Sequence, residues 1–239
     1  MPVRALNALG VVVILALAAP HAEASEPVKR TLKGCVLDKT FYSVDGDTAY
    51  RMSMQTFPEP PQPKLDLAPF EGQSISISGL LGPGDRFWPD PGTTPTVTAK
   101  TCTLRALRAI KNELVVRLRI NAQTAAEGGD FVKAHELIDQ AFAVLTPPAC
   151  DSFSDRAEIL AREGDYKAMA KDLAVIRARK QCYVIGKVNP LLVEDVGKVL
   201  LAKGEKKLAI EALNLANAVC DGDWCRSDIK KELAEAKKK

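Results

Sequence analysis

Apolar and polar positions alternate along the early part of the chain and fall at helical spacing along the rest. From Pro27 to Thr103 the texture is that of strands. Thr31 to Val44 is rich in β-branched and aromatic residues and ends in Ser43-Val44-Asp45-Gly46-Asp47, where Asp-Gly between apolar runs signals a hairpin. The return stretch, Thr48 to Met54, sets Tyr50, Met52 and Met54 against Arg51 and Ser53. Thr56 to Pro69 reads as a connection, because Pro58, Pro60, Pro61 and Pro63 cannot donate to a sheet ladder. Ser74 to Leu81 places Ile75, Ile77, Gly79 and Leu81 on one face and serines on the other. A second loop, Pro83 to Pro95, carries Phe87 and Trp88, and Thr96 to Thr103 closes the unit. Four or five short antiparallel strands in so short a stretch must curl to cover an apolar face, so a small barrel is expected.

At Leu104 the period changes. Leu107, Ile110, Leu114, Leu118, Ala122 and Ala125 form one stripe of a helix running to about Gly128. Following directly on a strand, this helix is expected to pack the barrel with its first half and later helices with its second. Beyond it one helical sentence is written three times. Its break points, Gly129, Gly164 and Gly204, recur at intervals of about 35 and 40 residues, the period of helix-pair repeats. Pro147-Pro148 stops one helix, Ser152 and Ser154 are candidate N-caps for the next, and Asn189-Pro190 is an N-cap followed by proline at the first helical position. Ser227 to Lys239 gives a last amphipathic helix, with Ile229 and Leu233 inward, suited to covering the end of the stack.

Two resemblances follow. The length and hairpin order of the strand region resemble an OB-type barrel. Residues from about Val115 to Val219 resemble tetratricopeptide repeats. That second likeness rests on a small residue in each first helix (Ala122, Ala157, Gly197) and on the Gly-acid turn, followed by Phe131 and Tyr166 in two copies. It also rests on the small or apolar second-helix positions Ala134, Ile138 and Ala141, then Met169, Leu173 and Ile176, then Ala209, Leu213 and Ala216. The third copy has Lys206 in place of the aromatic, the second has Met169 in place of an alanine, and an insertion around Gln181 to Val188 stretches one period. The expected fold is thus α+β: a small antiparallel OB-like barrel over residues 25–103, then over 104–239 a solenoid of three helical hairpins with a capping helix. The tetratricopeptide likeness implies that first helices line a concave face. Its outward polar residues would be Arg119, Gln123 and Glu127, then Glu158 and Arg162, then Glu194 and Lys198. Their mixed signs suit a protein or peptide partner better than a polyanion.

Composition narrows the function classes. Arg4, the uncharged and mostly apolar run Ala5 to Pro20 and the small-x-small Ala22-Glu23-Ala24 read as a signal peptide over residues 1–24, cleaved before Ser25. The apolar run falls short of the roughly 20 residues needed to span a bilayer. No later segment could cross a membrane, and a periplasmic or secreted location follows. Six cysteines fit an oxidising compartment. Chain order and architecture suggest Cys35–Cys102 within the strand region, Cys150–Cys182 across the base of the second hairpin, and Cys220–Cys225 before the last helix; the competing reading leaves some as buried thiols. With His21 in the signal, His135 is the only mature histidine, which excludes multi-histidine metal sites and leaves a Ser-His-Asp mechanism one candidate. The formal charge of +3 is small for 239 residues, so no nucleic-acid partner is expected.

Other motifs have bland readings. Asp221-Gly222-Asp223 and Asp45-Gly46-Asp47 are turns before they are calcium sites. Phe41, Tyr42, Tyr50, Phe87 and Trp88 are core and loop anchors before they are a stacking platform. No cofactor and no catalysis are expected. The expected function is an exported binding or scaffold protein of the bacterial cell envelope. The alternative is a barrel binding a small ligand, glycan or nucleotide, with the helices as docking or oligomerisation arm. An envelope hydrolase has no residue constellation behind it.

Overall fold

The computed structural model describes residues 26–57, 64–179, 182 and 188–238. Residues 1–24, read from sequence as a signal peptide, the prolines at 58–63 and most of the expected insertion around Gln181 to Val188 lie outside the described residues.

Strands β1 (Val28–Leu37), β2 (Thr40–Asp45), β3 (Thr48–Arg51), β4 (Ser53–Met54), β5 (Ser74–Gly82), β6 (Arg86–Pro89) and β7 (Thr96–Ala99) form one sheet in the order β3-β2-β1-β5-β6-β4, with β7 against β5. The sheet curls into a half-barrel whose end strands, β3 and β4, are consecutive in the chain. Phe41 and Phe87 fill its interior with Val36, Met52, Ile75 and Ile77. Two features depart from the sequence expectation. First, β4 and β6 pair in parallel, Ser53 with Arg86 and Met54 with Phe87, so the sheet is not wholly antiparallel. The long connection after β4 lets the chain cross to β5 and return as β6 in the same sense as β4, which no tight hairpin could do. Second, the run Thr31 to Val44 is broken at Asp38-Lys39, both at positive φ. That turn carries no glycine; Glu71 stabilises it by accepting from Asp38 N at 2.8 Å and Lys39 N at 2.9 Å.

Among the described residues seven α-helices follow: α1 (Leu104–Glu127), α2 (Phe131–Val144), α3 (Cys150–Glu163), α4 (Tyr166–Ala178), α5 (Pro190–Ala202), α6 (Lys206–Val219) and α7 (Asp223–Lys238). Thr103 caps α1, its side chain accepting from Ala106 N. Along α1, Ala106, Ala109 and Ile110 pack on Cys35, Tyr42 and Ala49 of the sheet. Further on, Val115, Ala122 and Ala126 pack with α2 and with Ile159 of α3. One helix therefore belongs to both cores.

The three helix-pair turns place Gly129, Gly164 and Gly204 at φ of +82°, +99° and +81°, where a Cβ would be strained. Asp130 and Asp165 then cap α2 and α4 by accepting from Lys133 N and Ala168 N. Ala122 in the second half of α1 and Ala157 at the middle of α3 are fully buried, and at Gly197 of α5 a Cβ would meet Leu213 of α6 at 2.7 Å. Helix α3 begins earlier than expected: Ala149 is its N-cap, and Ser152 and Ser154 sit inside it, fully buried with no partner for either hydroxyl among the described residues. Cys150, just after Pro147-Pro148, already starts the helix, so neither serine is a cap. Helix α7 likewise starts at Asp223, inside the Cys220–Cys225 loop.

Three disulfides close the structure: Cys35–Cys102, Cys150–Cys182 and Cys220–Cys225, with Cα separations of 5.8, 5.7 and 6.2 Å. Among the described residues no helix is long and apolar enough to cross a membrane.

Candidate functional site

Helices α1, α3 and α5 lie side by side, each the first member of its pair. On α1, Arg119, Gln123 and Glu127 recur every fourth residue, so they share one face. On α3 the matching stripe is Asp151, Asp155, Glu158 and Arg162. The two stripes meet. Arg119 donates through Nε to Asp155 and through Nη1 to Asp151 Oδ2 at 3.3 Å. Gln123 Nε2 donates to Asp155 Oδ1 at 2.9 Å and to Glu158 Oε2 at 3.1 Å. Arg162 holds Glu158 Oε1 through Nε and Nη2, at 2.9 and 2.6 Å, and lies 3.7 Å from Glu127. Asp151 Oδ1 accepts from Asn189 N at 2.8 Å, which carries the network to the N-cap of α5.

Five of the seven expected binding residues are thus parts of one network: Arg119, Gln123, Glu127, Glu158 and Arg162. Glu194 and Lys198 form a separate pair on α5, Lys198 Nζ lying 2.7 Å from Glu194 Oε1 and 3.4 Å from Asp195 Oδ1. Exposure divides the seven differently. The side chains of Glu158 and Glu194 are 7% and 3% exposed, whereas Glu127 and Lys198 reach 62% and 45%. The floor of the face is held internally and its rim is open. Glu194 Oε2 has no partner among the described residues.

Sequence reasoning missed Asp151 and Asp155. Their signal was available: they stand four residues apart on the stripe that continues through Glu158 and Arg162. Asp155 is 1% exposed. Burial raises its carboxyl most, the Arg119 guanidinium offsets part of the rise, and Asp151 and Glu158 add to it, leaving it pushed up to about 6. At Lys198, burial acts to lower the amine, but Glu194 and Asp195 more than offset this and hold it above the ordinary lysine range.

Cavities open both beside the helical face and on the sheet. One of about 430 Å³ opens beside Arg119 and Asp151, walled by Val115, Val116, Leu145 and Pro147. Another, about 460 Å³, lies on the sheet and is lined by Thr31, Lys33, Ser43, Asp45, Tyr50 and Asp85 among others. The five sheet aromatics do not gather into one platform: Phe41 and Phe87 are interior, Tyr42 lies under α1, and Tyr50 is exposed on β3 while Trp88 lies on β6 over Gly82. His135 is half-buried and its Nε2 lies 2.8 Å from Glu163 Oε2, an ion pair between α2 and the end of α3 when the ring is protonated.

The α1–α3–α5 face therefore offers charges in fixed positions along a rigid floor. Compared with protein-family models and with curated proteins, the chain finds no match.

Proposed function

We propose that this chain is an exported, non-catalytic binding or scaffold protein of the bacterial cell envelope, which engages a protein or peptide through the face formed by α1, α3 and α5. The observation that carries the reading is the division of that face into a buried floor bonded largely within itself and an open charged rim of Glu127, Asp195 and Lys198. Fixed floors lower the ordering cost of binding, and rim charges of both signs select partners through complementarity. Three stacked pairs, each with a Gly-acid or Gly-Glu turn and small residues at the helix crossing, support a tetratricopeptide-like solenoid. The order β3-β2-β1-β5-β6-β4, with β4 parallel to β6, supports an OB-like barrel. Export is supported by residues 1–24 and by three disulfides.

The test is partner capture from native envelope extract by the full chain, compared with Glu127→Lys/Asp195→Lys. Both residues lie on the rim, so the helical circular dichroism should be unchanged while the specifically captured partner is lost or weakened at least several-fold. Undiminished capture of the same partner would move the site off this face. The second reading, ligand binding by the half-barrel, is favoured by the cavity of about 460 Å³ with its mixed hydroxyl, charged and aromatic lining. Calorimetric titration with oligosaccharide and nucleotide probes separates the two.

A further inference from the structure

Asp155 and Glu158 lie one turn apart on α3, both withdrawn from solvent. A single donor, Gln123 Nε2, bridges them. Two carboxylates bridged by one amide in a dry site repel when both are ionised, which favours the neutral form of the more buried one. The surrounding charges do not relieve this repulsion evenly. From α1 come Arg119, shared between Asp155 and Asp151, and Glu127, which draws on Arg162. On α3 itself, Arg162 is committed to Glu158 and Asp151 adds a third carboxylate. Elsewhere around α3, Asp172 of α4 is paired with Arg156, which Asp139 of α2 also faces, Glu194 of α5 is paired with Lys198, and His135 of α2 lies against Glu163. Two guanidiniums therefore serve four carboxylates.

We propose that Asp155, bonded to Arg119 and Gln123 of α1 and set beside Glu158, is a proton-operated tie between α1 and α3. In mild acid Asp155 takes one proton from solvent, which relieves its repulsion with Glu158; Arg119 then shifts its grip from Asp155 towards Asp151, and the seating of α1 on α3 changes with it. Because α1 is also packed on the sheet, this tie reaches both cores. It rests on the α1–α3 geometry alone and does not depend on what the face binds.

Burial and the neighbouring carboxylates, against Arg119, place the Asp155 transition at about pH 6. The sign follows from the raised value. The folded chain holds this proton more tightly than the unfolded chain, so the contribution to stability is full below the unfolded carboxyl value and is lost as pH rises through about 6. The unfolding equilibrium should respond on the order of a hundredfold across that window.

The experiment follows the carboxyl carbons and the Arg119 Nε–H of the full chain by NMR from about pH 4 to about pH 7.5, with urea unfolding of the wild type and of Asp155→Asn over the same range. The expected result is an Asp155 midpoint near pH 6 and an Arg119 Nε–H shift with the same midpoint. The wild type should lose stability as pH rises through that window, a loss absent from Asp155→Asn. An Asp155 midpoint in the ordinary carboxylate range, a motionless Arg119 resonance, or an undiminished pH dependence in Asp155→Asn would each overturn the proposal. Should Asp155→Asn fail to fold, Asp151→Asn removes one repelling carboxylate and must lower the Asp155 midpoint; an unmoved midpoint would equally overturn it.

Discussion

Inside the half-barrel the buried set is Val36, Phe41, Met52, Leu67, Ile75, Ile77 and Phe87, all apolar. Helices α3, α4 and α5 instead bury Ser152, Ser154, Asp155, Glu158, Asp172 and Glu194, the full buried polar set among the described residues. The difference follows from where each element spends its main-chain hydrogen bonds. Strands pair theirs with neighbours, so the ladder itself sets position; β5, bonded to β1, β6 and β7, leaves its interior residues only the task of filling space. Helices satisfy their own backbones, and nothing in the main chain tells α1 at what height to sit on α3. Directional side-chain ties supply that register. Buried ion pairs are weak sources of net stability but suit this positional role.

Truncating the filled interior should give the largest effect. Phe87 is fully buried at the centre of the half-barrel, and Phe87→Ala is expected to cost about 3–5 kcal/mol in urea unfolding. A loss below about 1 kcal/mol would mean that the sheet interior is not close-packed. The helical counterpart is the Arg156–Asp172 pair, joined by two hydrogen bonds at 2.8 and 2.7 Å, with Arg156 also lying 4.2 Å over the Phe142 ring. Arg156→Leu leaves a buried carboxylate without its guanidinium and should cost about 3 kcal/mol. Adding Asp172→Leu should recover most of that loss, because the penalty is an unpaired buried charge and not a missing attraction. A double variant as unstable as the single would contradict the contrast drawn between the two regions.

What could be read from sequence follows the same division. The helix-pair turns were legible because each is local: glycine at the left-handed position and, at Asp130 and Asp165, a capping acid immediately after it. The cysteine pairing was legible because chain order and helix antiparallelism leave few ways to bring thiols together. The β4–β6 pairing was not, since alternation shows which segments are strands but not which neighbour each will choose. The Asp38-Lys39 turn was hidden for a related reason: its support comes from Glu71, far away in sequence. At the candidate site the face was legible from four-residue spacing. That Arg119 and Gln123 are bonded to Asp155, a residue the reading passed over, depends on the relative height of two helices, which no single helix encodes.

The smallest effect expected is also the sharpest test of how the two regions are joined. Arg105, in the first turn of α1, pairs through Nε with Asp47 in the β2–β3 turn at 2.6 Å, so the eye would take this bond as the clasp between sheet and helices. Both side chains are largely exposed. Side-chain ordering and salt screening remove most of the gain from such pairs. The Arg105 guanidinium holds the Asp47 carboxyl below its ordinary value, but that shift sits in open solvent and carries little into folding. Burial of Ala109 and Ile110 against Tyr42 and Ala49 does the joining instead. Asp47→Asn should therefore leave the thermal midpoint unchanged at physiological salt, whereas Ile110→Ala should lower stability by about 2–4 kcal/mol. Equal losses from the two substitutions would show that charge, and not buried surface, holds α1 to the sheet.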